Sequence, residues 1–191
     1  GQLTRHIAAV HLGDVDHAQV AQEINDRGIT LIRDERSQVP LAVPRDANVL
    51  YLSVLDYGSG WRIAAPSRTF IPELRRRWPN VTAIELSDRA TASEIDLVRA
   101  TATRYDAIVA AVFVRAASGS GRMDLAPSLV RLLTDLAQAT ASTPKPFVTV
   151  FFGNPYVPMG LPSLPVMMLT YDFYDLAELS AVRALAGEAP I

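Results

Sequence analysis

Two stretches decide the fold: Asn48-Val49-Leu50-Tyr51-Leu52-Ser53-Val54-Leu55 and Asp106-Ala107-Ile108-Val109-Ala110-Ala111-Val112-Phe113-Val114. Each is nearly continuous in apolar residues instead of alternating, which is what a strand covered on both faces requires. Such strands belong to parallel sheets sandwiched between helices.

Shorter apolar runs extend the pattern: Ile29 to Ile32, Val81 to Leu86, Phe147 to Phe152 and Val166 to Leu169. Between them lie helical spacings. The first helix is expected from Asp14 or Asp16 to Gly28, with Val20, Ala21 and Ile24 inward. Phe70, Leu74 and Trp78 mark a second, Ala92 to Tyr105 a third, Leu125 to Ala139 a fourth, and Tyr174 to Ala186 a fifth. Alternating strands and helices predict a three-layer α/β/α sandwich around a mostly parallel sheet of five or six strands.

Composition fits one packed domain. Of 191 residues, 49% are hydrophobic and 20% charged, enough for a core without disulfides or metals. A net charge of -2 leaves no basic excess for a phosphate backbone or an anionic membrane surface, so neither nucleic acid nor membrane is an expected partner. Cysteine is absent, which excludes thiolate chemistry but leaves the compartment open, an exported parent included.

Chemistry-bearing residues are sparse. His6, His11 and His17 lie remote from any serine or paired carboxylate, and no His pair has metal-ligand spacing, so neither a metal nor an organic cofactor is expected. Gly58-Ser59-Gly60 and Gly119-Ser120-Gly121 follow strands, but Ile63 and Asp124 stand where a dinucleotide-binding loop needs its third glycine. They read as plain or sugar-contacting loops. Asp172 and Asp175, three apart near a helix start, read as helix caps, and Arg75-Arg76-Arg77 as a solvated face.

In a parallel sheet ligands gather at the carboxyl ends of the strands. The polar and aromatic residues expected there are Asp56, Trp61, Arg62, Arg115, Arg122, Asn154 and Tyr156. Trp61 and Tyr156 offer faces to a sugar ring, and Arg115 or Arg122 donors to its hydroxyls; the same residues would also serve for packing against a neighbouring domain.

The final third is the most specific. Lys145-Pro-Phe-Val-Thr-Val-Phe-Phe-Gly-Asn-Pro-Tyr156, then Leu169-Thr-Tyr171, then Ala181-Val-Arg-Ala-Leu-Ala-Gly-Glu-Ala-Pro190 resemble the C-terminal domain of family 3 glycoside hydrolases, in particular the β-N-acetylhexosaminidase branch. Ala21 to Ile24, Gly28 to Asp34 and Val39-Pro40-Leu41 agree, so the resemblance covers residues 18 to 190.

That resemblance implies a flavodoxin-like sandwich at 14–191, with 1–13 a linker from a missing N-terminal TIM-type barrel. It implies an accessory domain that stabilises the barrel and lines one side of a carbohydrate pocket. The nucleophile would sit on the barrel. In the N-acetylglucosaminidase branch the acid/base is also a barrel residue, whereas in the β-glucosidase branch it is a Glu of the C-terminal domain. Glu73, Glu85, Glu94 and Glu178 match no such motif, so no catalytic residue is assigned here and the isolated domain is expected to be inactive. The competing reading is a free-standing flavodoxin-like binding or regulatory module.

Overall fold

The computed structural model describes residues 15–56, 65–115 and 124–191. The expected linker at 1–13, His6 and His11, and both glycine-rich loops lie outside the described residues.

Six strands form one sheet: β1 (Thr30–Asp34), β2 (Val49–Leu55), β3 (Val81–Ser87), β4 (Ala107–Val114), β5 (Phe147–Gly153) and β6 (Val166–Thr170), in the order β1-β6-β5-β4-β2-β3. All neighbours are parallel except β1, which runs antiparallel to β6 at one edge. Without β1 the order is that of a flavodoxin-like sheet. The five helices are α1 (Val15–Arg27), α2 (Phe70–Arg77), α3 (Ala92–Ala102), α4 (Pro127–Thr140) and α5 (Asp175–Leu185).

Period-two alternation sorts the strand residues between two cores. Leu50, Leu52, Ile108, Ala110, Phe147 and Phe151 face α3 and α4. Val49, Tyr51, Val109, Phe113, Val150 and Phe152 face α2 and α5. Every residue of β2 and β4 is buried, the condition that their apolar runs required.

Helix starts follow local and distant chemistry. α3 begins at a capping box, in which Thr91 Oγ1 accepts from Glu94 N and Glu94 Oε2 accepts from Thr91 N at 2.7 Å. α2 has no side-chain cap of its own; its first amides are held from α5, as described below.

Three expectations are corrected. In α1, Val20 is 53% and Ile24 65% exposed. The helix instead turns its polar side to α5: Gln22 Nε2 donates to Ser180 Oγ at 2.7 Å, Ser180 Oγ donates to Asp26 Oδ1 at 2.7 Å, and Arg183 pairs with Asp26 at 2.9 Å. Polar groups can pack inward where hydrogen bonds and ion pairs meet them, as they do here except at Gln22 Oε1, which is buried without a partner among the described residues.

Arg77 is not a solvated charge, since its side chain is only 13% exposed and bridges Glu73 and Glu188. Asp172 and Asp175 do not cap α5. Asp172 Oδ1 accepts from Phe173 N at 2.7 Å, and Asp175 takes the forked guanidinium of Arg68.

Candidate functional site

Parallel pairing brings the ends of β2, β4 and β5 to one edge, with Leu55 beside Phe113 and Val114 beside Gly153. The next residues, Asp56, Arg115 and Asn154, therefore stand in a row. Between β2 and β4 the strand order reverses, the position where sheets of this type open a crevice. Asp56 is buried there, its N–H donating to Phe113 O at 3.1 Å.

At the end of β5 the chain turns sharply. Gly153 adopts φ +87°, and a Cβ there would lie 3.2 Å from Phe173 Cδ1 and from Val114 O. Asn154 is buried, and its Oδ1 accepts from Tyr156 N at 3.0 Å, which fixes the turn and leaves Tyr156 66% exposed. Gly153→Ala should cost about 1–2 kcal/mol, since both the left-handed backbone and the fixed carbonyl oppose a side chain. Urea unfolding checks this, and an unchanged midpoint would mean that the turn relaxes freely.

Around this turn lies an open cleft of about 260 Å³, lined by Arg115, Asn154, Tyr156, Tyr171 and Phe173. Arg115 Cζ sits 5.4 Å from the centre of the Phe173 ring, a cation–π arrangement. Tyr171 also borders a second cleft of about 390 Å³, lined in addition by Ile24, Asn25, Gly28, Thr170 and Asp172.

The structure thus brings four of the seven expected residues, Asp56, Arg115, Asn154 and Tyr156, to the same sheet edge, the last three to one cleft. Trp61, Arg62 and Arg122 fall in loops outside the described residues. Tyr171 and Phe173 are cleft residues that the sequence reading passed over, although Tyr171 directly follows the apolar run of β6 and so had to emerge at this edge.

A second constellation was also missed. Glu178, 1% exposed on α5, holds the return of the chain from the 57–64 loop. Its Oε1 accepts from Ser67 N at 2.7 Å, and its Oε2 from Thr69 N and Phe70 N at 2.8 Å each. Ser67 itself has φ +67°, and its hydroxyl meets Tyr51 Oη at 2.6 Å and Ser53 Oγ at 2.8 Å. Burial pushes the Glu178 carboxyl above its ordinary value, outweighing the three amides that favour the charged form. Burial likewise keeps the Tyr51 phenol protonated. These groups are anchored among themselves and turned away from solvent; they build the edge instead of reacting at it.

Among the described residues no group of three His, Cys, Asp or Glu gathers to hold a metal ion, and no helix is long and apolar enough to cross a membrane.

What fold and site define is a flavodoxin-like sandwich with an aromatic and arginine-bearing cleft at its carboxyl edge. The same sandwich occurs as one portion of family 3 glycoside hydrolase structures. A family 3 β-N-acetylglucosaminidase from Paenibacillus sp. superposes with a TM-score of 0.74 at 15% identity, over 94% of this chain and 32% of that one. A fungal multi-domain family 3 β-N-acetylglucosaminidase gives 0.68 at 19% identity, over 91% and 18% respectively. A β-glucosidase from Listeria innocua, solved in complex with glucose, gives 0.68 at 17%, over 94% and 26%. The chain therefore spans a third or less of the length of these structures. No family model and no curated protein matches the sequence.

Proposed function

We propose that this chain is the C-terminal α/β sandwich domain of a family 3 glycoside hydrolase, a retaining β-N-acetylhexosaminidase. The observation that supports the family reading is the correspondence of 91–94% of the chain with a minor part of family 3 enzymes, β-N-acetylglucosaminidases and a β-glucosidase among them. The motif Gly153-Asn154-Pro155-Tyr156, whose turn geometry is given above, supports it from the sequence side.

On this reading the remainder of the polypeptide is a barrel that carries the nucleophile. The sandwich packs against it and presents Asp56, Arg115, Asn154 and Tyr156, with Trp61, Arg62 and Arg122 from the adjoining loops, as one wall of the sugar pocket. Retention of configuration requires a nucleophile that forms a covalent glycosyl-enzyme and an acid/base that protonates the leaving oxygen and then activates water. This chain contributes neither; its part is to hold the sugar while the barrel acts.

The test compares the full-length polypeptide with the 191-residue chain on 4-nitrophenyl N-acetyl-β-glucosaminide and on the corresponding glucoside. Turnover of the first by the full-length protein, with retention, and none by the chain alone is the expected result. Robust turnover by the chain alone, or a full-length protein that cleaves neither glycoside, would sink the assignment.

A further inference from the structure

Arg115 is placed as a receptor for negative charge. It lines the 260 Å³ cleft with its guanidinium carbon 5.4 Å from the centre of the Phe173 ring. Among the described residues no carboxylate lies within 4.0 Å of it. The acids of the neighbouring turn are occupied, Asp172 by the Phe173 amide and Asp175 by Arg68.

A guanidinium that meets a ring through cation–π contact still offers N–H donors to a planar, two-oxygen anion, and the match to a carboxylate is bidentate. Tyr156 and Tyr171 border the same space, and Tyr156 presents most of its surface to solvent. Aromatic faces of this kind suit the apolar face of a pyranose ring.

We infer that the cleft binds an acid sugar, a pyranose whose carboxylate pairs with Arg115 while its ring lies against the tyrosines. The inference rests on the reading of this edge as a wall of a sugar pocket, and it narrows the ligand class to sugars that carry a carboxylate.

The experiment uses the full-length polypeptide. Its kcat/KM is measured on N-acetylglucosaminyl-β-1,4-glucuronate and on the neutral N-acetylglucosaminyl-β-1,4-glucose. The acid disaccharide should be preferred by about tenfold or more, the order expected of a charge-assisted pair. Arg115→Met should abolish the preference, and Arg115→Lys, which keeps the charge without the fork, should retain part of it.

Ligand-observed NMR with methyl β-D-glucuronide and methyl β-D-glucoside on the same polypeptide separates the two readings. Cleavage of neither disaccharide with Arg115-dependent binding of the glucuronide would remove the hydrolase assignment and leave the acid-sugar site standing. Equal rates and equal binding for acid and neutral sugars, or an Arg115→Met loss that is the same for both, would overturn the inference.

Discussion

Replacing Glu178 by alanine should lower the unfolding free energy by about 4 kcal/mol, because three amides at the start of α2 lose their acceptor in a place water does not reach. For a chain of this size that corresponds to a fall in Tm of roughly 10 °C. Glu178→Gln keeps one acceptor oxygen but turns an NH2 donor toward other donors, so it should be destabilised by an intermediate amount.

The pH dependence separates the carboxylate from its shape. A carboxyl whose folded pKa is raised binds its proton more tightly in the native state. Its contribution to stability is thus full below the unfolded pKa and is lost as pH rises through the folded value. The deficit of Glu178→Gln against the wild type should therefore shrink as pH rises from 4 to 7 in urea unfolding. A deficit that grows over that range would mean that the three amides, and not burial, dominate the carboxyl. Asp175 and Glu188, held below the ordinary range by Arg68 and Arg77, act with the opposite sign in both proteins: their stabilisation is lost as pH falls through their folded values. Comparing variant with wild type cancels the contribution of Glu188, whereas that of Asp175 cancels only in part because Asp175 also acts on Glu178.

Phe152→Ala should cost about 4 kcal/mol by leaving a cavity at the centre of the second core. Phe152 stacks on Phe113 at 4.5 Å and meets the edge of Phe70 at 6.1 Å, and Phe70 in turn stacks on Tyr51 at 4.9 Å. Four rings from β2, α2, β4 and β5 thus share one contact chain, and it ends on the hydroxyl that Ser67 holds. Phe152→Leu, which refills most of the volume, should cost about 1–2 kcal/mol. A loss below about 1 kcal/mol for the alanine variant in calorimetry would show that the ring stack collapses without penalty.

How much of this was legible in the sequence depends on the range of the interaction. β2 and β4 were readable because burial on both faces leaves its mark in consecutive residues. The Gly153-Asn154-Pro155 turn was readable because glycine, an Asx side chain and proline act within three positions. α1 was read the wrong way round, since periodicity marks Val20 and Ile24 as alike but does not say which side of the helix meets the body. The inward side was chosen by Ser180 and Arg183, more than 150 residues along the chain. Glu178 left no local sign at all, because its partners at Ser67, Thr69 and Phe70 are backbone amides, which every residue there except proline would offer. Trp61, Arg62 and Arg122 lie outside the described residues.

The antiparallel strand β1 has a consequence for the order in which the molecule can be made. β1 pairs only with β6, α1 rests on α5, and Leu41 N donates to Leu185 O. Within the domain, synthesis delivers α1 and β1 before β6 and α5, the surfaces that receive them. Sheet growth from β2 through β5 can proceed meanwhile, each strand finding a neighbour within tens of residues, whereas the segment 15–41 must wait for the far end and then close a loop across nearly the whole chain. Within this domain α1 and β1 therefore stay undocked while β2 to β5 assemble, and they are held only once β6 and then α5 have arrived.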